Sequence, residues 1–169
     1  MIIETTNFGE IEVEEERVIL FEDGIPGFKD EKRFIIILNE DEDNPLHWLQ
    51  SVNTPELSFV ITDPFEIYED YDFNISESLV KKLDLKDERE VAVYTIVVIP
   101  EDITKMTTNL LGPIVINTAN KSAKQIIIED DKYTTKHYII PQESLKESQG
   151  GQWYVNTLKK KRWISNNRR

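Results

Sequence analysis

The chain has 169 residues, with 20 Lys and Arg against 32 Asp and Glu, a net charge of −12. That length holds one domain, or a domain and a tail, and buries a core without disulfide or metal staples. There is no cysteine, and the two histidines are His47 and His137; disulfides and thiol chemistry are excluded, and a histidine-rich metal centre cannot be assembled. An acidic chain repels phosphate and anionic lipid, which argues against direct nucleic-acid binding and against a membrane-surface role. The opening MIIETTNFGE has no basic stretch leading into an apolar run, so it does not read as a signal peptide. No apolar run approaches the ~20 residues of a membrane span. A cytoplasmic protein without cofactor is expected.

The elements follow in chain order from β-branched runs and turn signals. Residues 2–6 and 10–14 read as two strands of a hairpin around Asn7-Phe8-Gly9, and residues 17–21 as a third strand. Pro26-Gly27 suits the centre of a type II turn, where glycine supplies positive φ. Residues 34–38 form an apolar run fitting a strand buried on both faces. Residues 39–44 read as an acidic loop, and 47–52 and 57–62 as strands. Residues 67–73 alternate aromatic and acidic side chains and read as a further strand. Residues 76–83 form the one expected helix, capped by Ser76, with Leu79, Val80 and Leu83 on one face and Lys81 and Lys82 in its last turn. Strands are expected at 91–99, 114–117, 125–128 and 136–140. Together they predict a mostly β domain, a small antiparallel barrel-like or sandwich fold with one short helix.

Charge divides the chain. Residues 1–142 carry 13 basic and 30 acidic side chains, net −17; residues 143–169 carry 7 and 2, net +5. The polar stretch at 144–152 contains Gly150-Gly151, a linker signature. A folded body over 1–142 and a separate basic tail over 143–169 are expected.

Catalytic signatures are lacking in the sequence. None of the six glycines forms a phosphate-binding spacing, and there is no nucleophile elbow. The acidic run at 40–43 lacks the glycine and closing glutamate of a calcium loop and reads as a solvated loop. His47, between Leu46 and Trp48, reads as a half-buried strand histidine, and Trp48 as core. Asp63-Pro64-Phe65 reads either as a strand end or as an exposed aromatic at a binding edge. MTTNLLGPIVIN, residues 106–117, reads either as a loop packing two leucines inward or as an ordered loop whose apolar tip lines a peptide groove.

The segments FEDGIPGF (21–28), LQSV (49–52), DPF with a following DY (63–65 and 70–71) and NLLGPIVIN (109–117) resemble the FliW family of flagellar assembly factors, as does the opening MIIETTNFGEIEV. The resemblance covers residues 1 to about 140. It implies a non-enzymatic, largely antiparallel β-barrel-like protein. It further implies binding to the C-terminal region of flagellin and to CsrA, a small RNA-binding translational repressor, so that free flagellin sets its own translation. The residues expected to meet partners are Phe65, Asp70, Tyr71, Asp72, Asn109, Leu110, Leu111, Pro113, Ile114 and Asn117. The sequence departs from the family in having Gly112 rather than alanine before the proline, a change expected to leave the loop intact. It also has Ser122-Ala123-Lys124-Gln125 where the family has a glycine, which bears on that turn. The rival functions are a general chaperone for secreted flagellar subunits without a regulator and, far behind it, a carboxylate-dependent hydrolase.

The tail matches nothing in the family. Residues 154–168, YVNTLKKKRWISNNR, can be written in allowed codons whose frame one base later translates as MLILSRKKDGYQTI, which resembles the start of CsrA. A gene end overlapping the start of a CsrA gene is therefore expected, with a basic arm for RNA or for the acidic body as the rival reading. On the overlap reading, removing residues 144–169 leaves folding and flagellin binding intact.

Overall fold

The computed structural model describes residues 1–145; the expectations for the basic tail, its linker and the overlapping frame lie outside the described residues beyond Leu145. The chain opens with β1 (Ile2–Thr5) and β2 (Gly9–Glu12), paired antiparallel with Ile3 opposite Ile11. Thr5 Oγ1 closes the hairpin, accepting from the Phe8 N–H and donating to the Gly9 carbonyl, both at 2.9 Å. Ile3 and Val13 pack with Ile35, so the hairpin seats on the outer face of the next sheet.

That sheet is a closed barrel of seven strands. They are β3 (Ile19–Phe21), β4 (Arg33–Ile37), β5 (Leu46–Ser51), β6 (Ser58–Thr62), β7 (Val91–Val98), β9 (Ile114–Asn117) and β10 (Ser122–Gln125), with the two-residue β8 (Thr107–Thr108) and β11 (His137–Tyr138) outside the ring. The order runs β7-β6-β5-β4-β3-β10-β9, and β9 pairs back onto β7. Closure leaves no free edge in the ring itself. Eight-residue β7 makes this work: Val91 to Tyr94 pair with β9, while Val97 and Val98 pair with β8 on the same side. Every neighbour is antiparallel except β10 and β3, which run parallel over Leu20 and Phe21. Of the antiparallel barrel-like or sandwich folds expected from the sequence, the barrel is the observed architecture.

Alternation along each strand sorts side chains into two sets. Phe21, Phe34, Leu49, Ile61, Ile114, Ile116 and Ala123 fill the barrel. The opposite set needs outer cover. Val115 packs under Leu79 of α2 (Glu77–Lys82) and under Leu83, which caps its C-terminus, and Val97 packs with Leu46, Met106 and Ile139. Two-sided burial is why these strands read as continuous apolar runs. The helix starts as expected: Ser76 Oγ accepts from the Leu79 N–H at 3.2 Å.

Three expectations are corrected. Residues 67–73 are not a strand. Asp63 caps and Pro64 opens a second short helix, α1 (Pro64–Ile67), and the following residues run irregularly. The strand expected at 125–128 is β10, three residues earlier, because its register is set by Val115 opposite Lys124. The strand expected at 136–140 shrinks to His137–Tyr138. Gln142–Leu145 form a 3-10 turn, and Leu145 packs on Ile103 and Ile140. No helix among the described residues is long and apolar enough to cross a membrane.

Candidate functional site

Beyond β6 the chain leaves the barrel through Asp63, whose Oδ1 accepts from the Phe65 N–H at 2.8 Å. This cap and Pro64 start α1, which turns the chain so that Phe65, Tyr68 and Tyr71 converge on one cluster. Tyr71 is 4% exposed, and its hydroxyl donates to the Leu110 carbonyl at 2.7 Å. Its ring lies 4.8 Å from that of Tyr133, edge to face. The Tyr133 hydroxyl accepts from the Asp72 N–H at 2.8 Å and donates to the Asp72 carbonyl at 3.0 Å. Tyr68 stacks edgewise on both Tyr133 and His137. The irregular backbone of residues 68–73 is thus held by tyrosine hydroxyls rather than by a ladder.

The electrostatics follow from that packing. Burial, helped by neighbouring Tyr133, pushes the Tyr71 hydroxyl well above the ordinary tyrosine range, so it stays a donor. Burial lowers His137 from its ordinary value, which favours the neutral ring against Tyr68. Around the pinned aromatics stand the exposed carboxylates of Glu66, Glu69, Asp70 and Asp72. Among the described residues no group of His, Cys, Asp or Glu is placed to hold a metal ion.

The structure divides the expected partner-binding residues. Phe65, Asp70, Tyr71, Asp72, Leu110 and Leu111 lie together, but only Phe65, at 47% exposure, and the two aspartates present much surface. In the loop at 109–114 the apolar side chains turn inward, the first of the two arrangements the sequence allows, except that Leu111 stays half-buried. Leu110 is fully buried under Tyr71 and Tyr133, Pro113 is buried, and Ile114 belongs to the barrel interior. Asn109 is half-buried; its Oδ1 accepts from the Leu111 N–H at 3.1 Å and shapes the turn. Asn117 stands apart from the cluster. It is buried, and its Nδ2 donates to the carbonyls of Leu83 and Asp84, capping the end of α2. Trp48, expected in the core, is half-buried against Phe8, and His47 is half-buried as read.

The comparisons bear on this architecture directly. The profile of the FliW protein family matches residues 2–139. The flagellar assembly factor FliW of Alkaliphilus metalliredigens is 49% identical over 152 residues, covering 90% of this chain and 94% of that protein. The chain belongs to the FliW family. The flagellar assembly factor FliW of Bacillus subtilis is 45% identical over 139 residues, covering 82% of this chain and 96% of that protein. A crystal structure of the flagellar assembly factor FliW superposes with a TM-score of 0.78 at 36% identity, covering 85% of this chain and 99% of that one. The FliW match spans the whole barrel and the tyrosine cluster.

Two departures from the FliW pattern acquire physical content. A Cβ on Gly112 would lie 2.7 Å from Asn109 Nδ2 and 2.9 Å from Gln125 Nε2, and that same Gln125 nitrogen donates to the Gly112 carbonyl. Alanine there is therefore not neutral in this chain; glycine lets the two amides close over the loop. Gly112→Ala is expected to cost about 1 kcal/mol by displacing them. A denaturant midpoint shifted down at unchanged slope checks this, and an unchanged midpoint would show that the amides reorient freely. At the second departure, the residue with positive φ is Lys121, at 63°, immediately before β10. The turn is formed with a lysine in a conformation that favours glycine.

Sequence reasoning missed Tyr133, Tyr68 and His137. Tyr133 sits in EDDKYTTK, where nothing but an isolated aromatic in an acidic loop could have flagged it.

Proposed function

We propose that this chain binds the C-terminal region of flagellin and a CsrA-type RNA-binding repressor, coupling free flagellin to its own translation. It acts in the cytoplasm, by binding and not by catalysis. The observation that supports the reading is near-full-length similarity to flagellar assembly factors, 49% identical to one of them. The surface chemistry fits it. Net −17 over residues 1–142 suits a partner whose RNA-binding surface is basic, and Asp70 and Asp72 project from a backbone pinned by Tyr133. Fixed carboxylates beside a rigid aromatic cluster steer a basic protein and orient it on arrival.

Calorimetry with purified flagellin, C-terminally truncated flagellin and CsrA tests the reading. Binding of full-length flagellin and of CsrA is expected, with truncated flagellin much weaker. Equal affinity for both flagellins would remove the C-terminal contact, and flagellin binding without CsrA binding would leave a subunit chaperone. Asp70→Lys with Asp72→Lys is expected to slow CsrA association about tenfold at low salt and leave the fold intact. Unchanged association and salt dependence would place the contact elsewhere.

A further inference from the structure

Beyond β10 the chain continues in register without counting as a strand. The N–H groups of Ile126 and Ile128 donate to the carbonyls of Pro113 and Leu111 at 2.9 and 2.8 Å. In an antiparallel ladder the residue between two such partners turns its peptide groups to the opposite side. The Ile127 N–H and C=O accordingly make no hydrogen bond among the described residues. Its side chain is 82% exposed, while Ile126 and Ile128 pack inward against the α2 and tyrosine clusters. Alongside lies a groove of about 440 Å³ between residues 72–74 and 126–132. Asp72, Glu129 and Asp130 line it together with Lys132, which pairs with Asp130 at 3.5 Å, and Asp131 adjoins it, so the lining stays net acidic. An open edge centred on an exposed isoleucine is a pairing site that proteins ordinarily cover or blunt.

We propose that this edge is a β-augmentation site for an extended segment of the basic partner, one that places an apolar side chain on Ile127 and Lys or Arg against the carboxylates. The site rests on the function proposed above and specifies where the regulator docks. Charge complementarity selects the occupant. The body of a second copy, net −17 over residues 1–142, would bring like charge to an edge flanked by carboxylates, whereas a cationic strand neutralises them. Backbone pairing gives the affinity and the carboxylates choose the sign of the partner. Asp72 belongs both to this groove and to the segment pinned by Tyr133, so the groove wall is rigid.

Amide hydrogen exchange on the full chain, with and without purified CsrA, tests the site. The Ile127 amide is expected to exchange fast in the free protein and to be protected at saturating CsrA. Ile127→Pro removes a donor that has no partner here, and it is expected to weaken CsrA about tenfold while flagellin affinity is unchanged. Should proline disturb the fold, Glu129→Lys with Asp131→Lys, both exposed, is expected to give the same selective loss. Binding of CsrA without Ile127 protection, or with full affinity in these variants, overturns the site and leaves the proposed function standing. Failure of the unaltered chain to bind CsrA overturns both. Ile127 protection that rises with protein concentration alone assigns the edge to self-association and overturns the proposal.

Discussion

Gly24→Ala is expected to destabilise the fold by about 3 kcal/mol, combining a left-handed backbone penalty with a steric clash. Gly24 has φ of 68°, and a Cβ there would lie 2.6 Å from the Lys29 carbonyl oxygen and 2.7 Å from Lys29 Cα. Those are backbone atoms and cannot swing aside. The turn they belong to is over-determined. Gly24 donates to the Phe21 carbonyl at 2.9 Å, Phe28 donates to Ile25 at 2.7 Å, and Ile25 between them is buried in the barrel core. Neighbouring Asp23 takes Lys124 at 2.7 Å and Lys82 at 3.0 Å, tying β10 and the end of α2 to the same turn. These two ammonium groups hold its carboxyl down at about 2. Thermal unfolding checks the prediction, with a loss of roughly 10 °C for a domain of this size. Gly27→Ala is the control. Its φ is 87°, but nothing lies within 4 Å of the added carbon, so about 1 kcal/mol is expected. Equal losses in the two variants would show that close approach at Gly24 costs nothing.

The parts of the fold legible in the sequence are those decided locally. Ser76 and the Leu79–Leu83 spacing specify α2 because cap and face lie within one short segment. Pro26-Gly27 specifies its turn for the same reason. Barrel strands such as β4 and β9 are legible because they are covered on both faces and so become runs of apolar residues, whereas β10, Ser-Ala-Lys-Gln, is no such run and its place is missed. Closure is not legible. It depends on β7 dividing one edge between β9 and β8, and on β10 meeting β3 in parallel, which no local pattern encodes.

The candidate site was legible in composition and obscured in geometry. Tyr68, Asp70 and Asp72 against Tyr71 and Phe73 look like a period-2 strand, yet that backbone is set by Tyr133, sixty-one positions beyond Asp72. A partner so distant leaves no trace in a short window. Leu110 shows the same limit, since an apolar residue in a loop reads alike whether it faces a partner or Tyr71. Ile127 was read as part of a strand, and the open edge emerges only once Pro113 and Leu111 are seen to satisfy its neighbours.

Tyr71→Ala is expected to cost about 4 kcal/mol, the largest single side-chain effect in the site, because it empties the centre of the aromatic cluster. Phe65, Phe73 and Tyr133 all pack on this ring, and Leu110 lies fully buried with it. Truncation removes the ring and also leaves the Leu110 carbonyl without its donor in a dry environment. Tyr71→Phe separates the two contributions. It keeps the ring and loses the hydroxyl, so about 1.5 kcal/mol is expected from the unsatisfied carbonyl alone. Denaturant unfolding of the pair measures both. The same phenylalanine variant decides whether Tyr71 meets a partner, as the resemblance implies, or only positions residues that do. A side chain 4% exposed offers a partner almost nothing to touch. Tyr71→Phe is therefore expected to hold flagellin and CsrA affinities within about twofold, below the ~1 kcal/mol that marks an energetically important contact. A loss of tenfold or more in a folded Tyr71→Phe protein would mean that residues 68–74 lift from Leu110 on binding and that the Tyr71 hydroxyl changes partners.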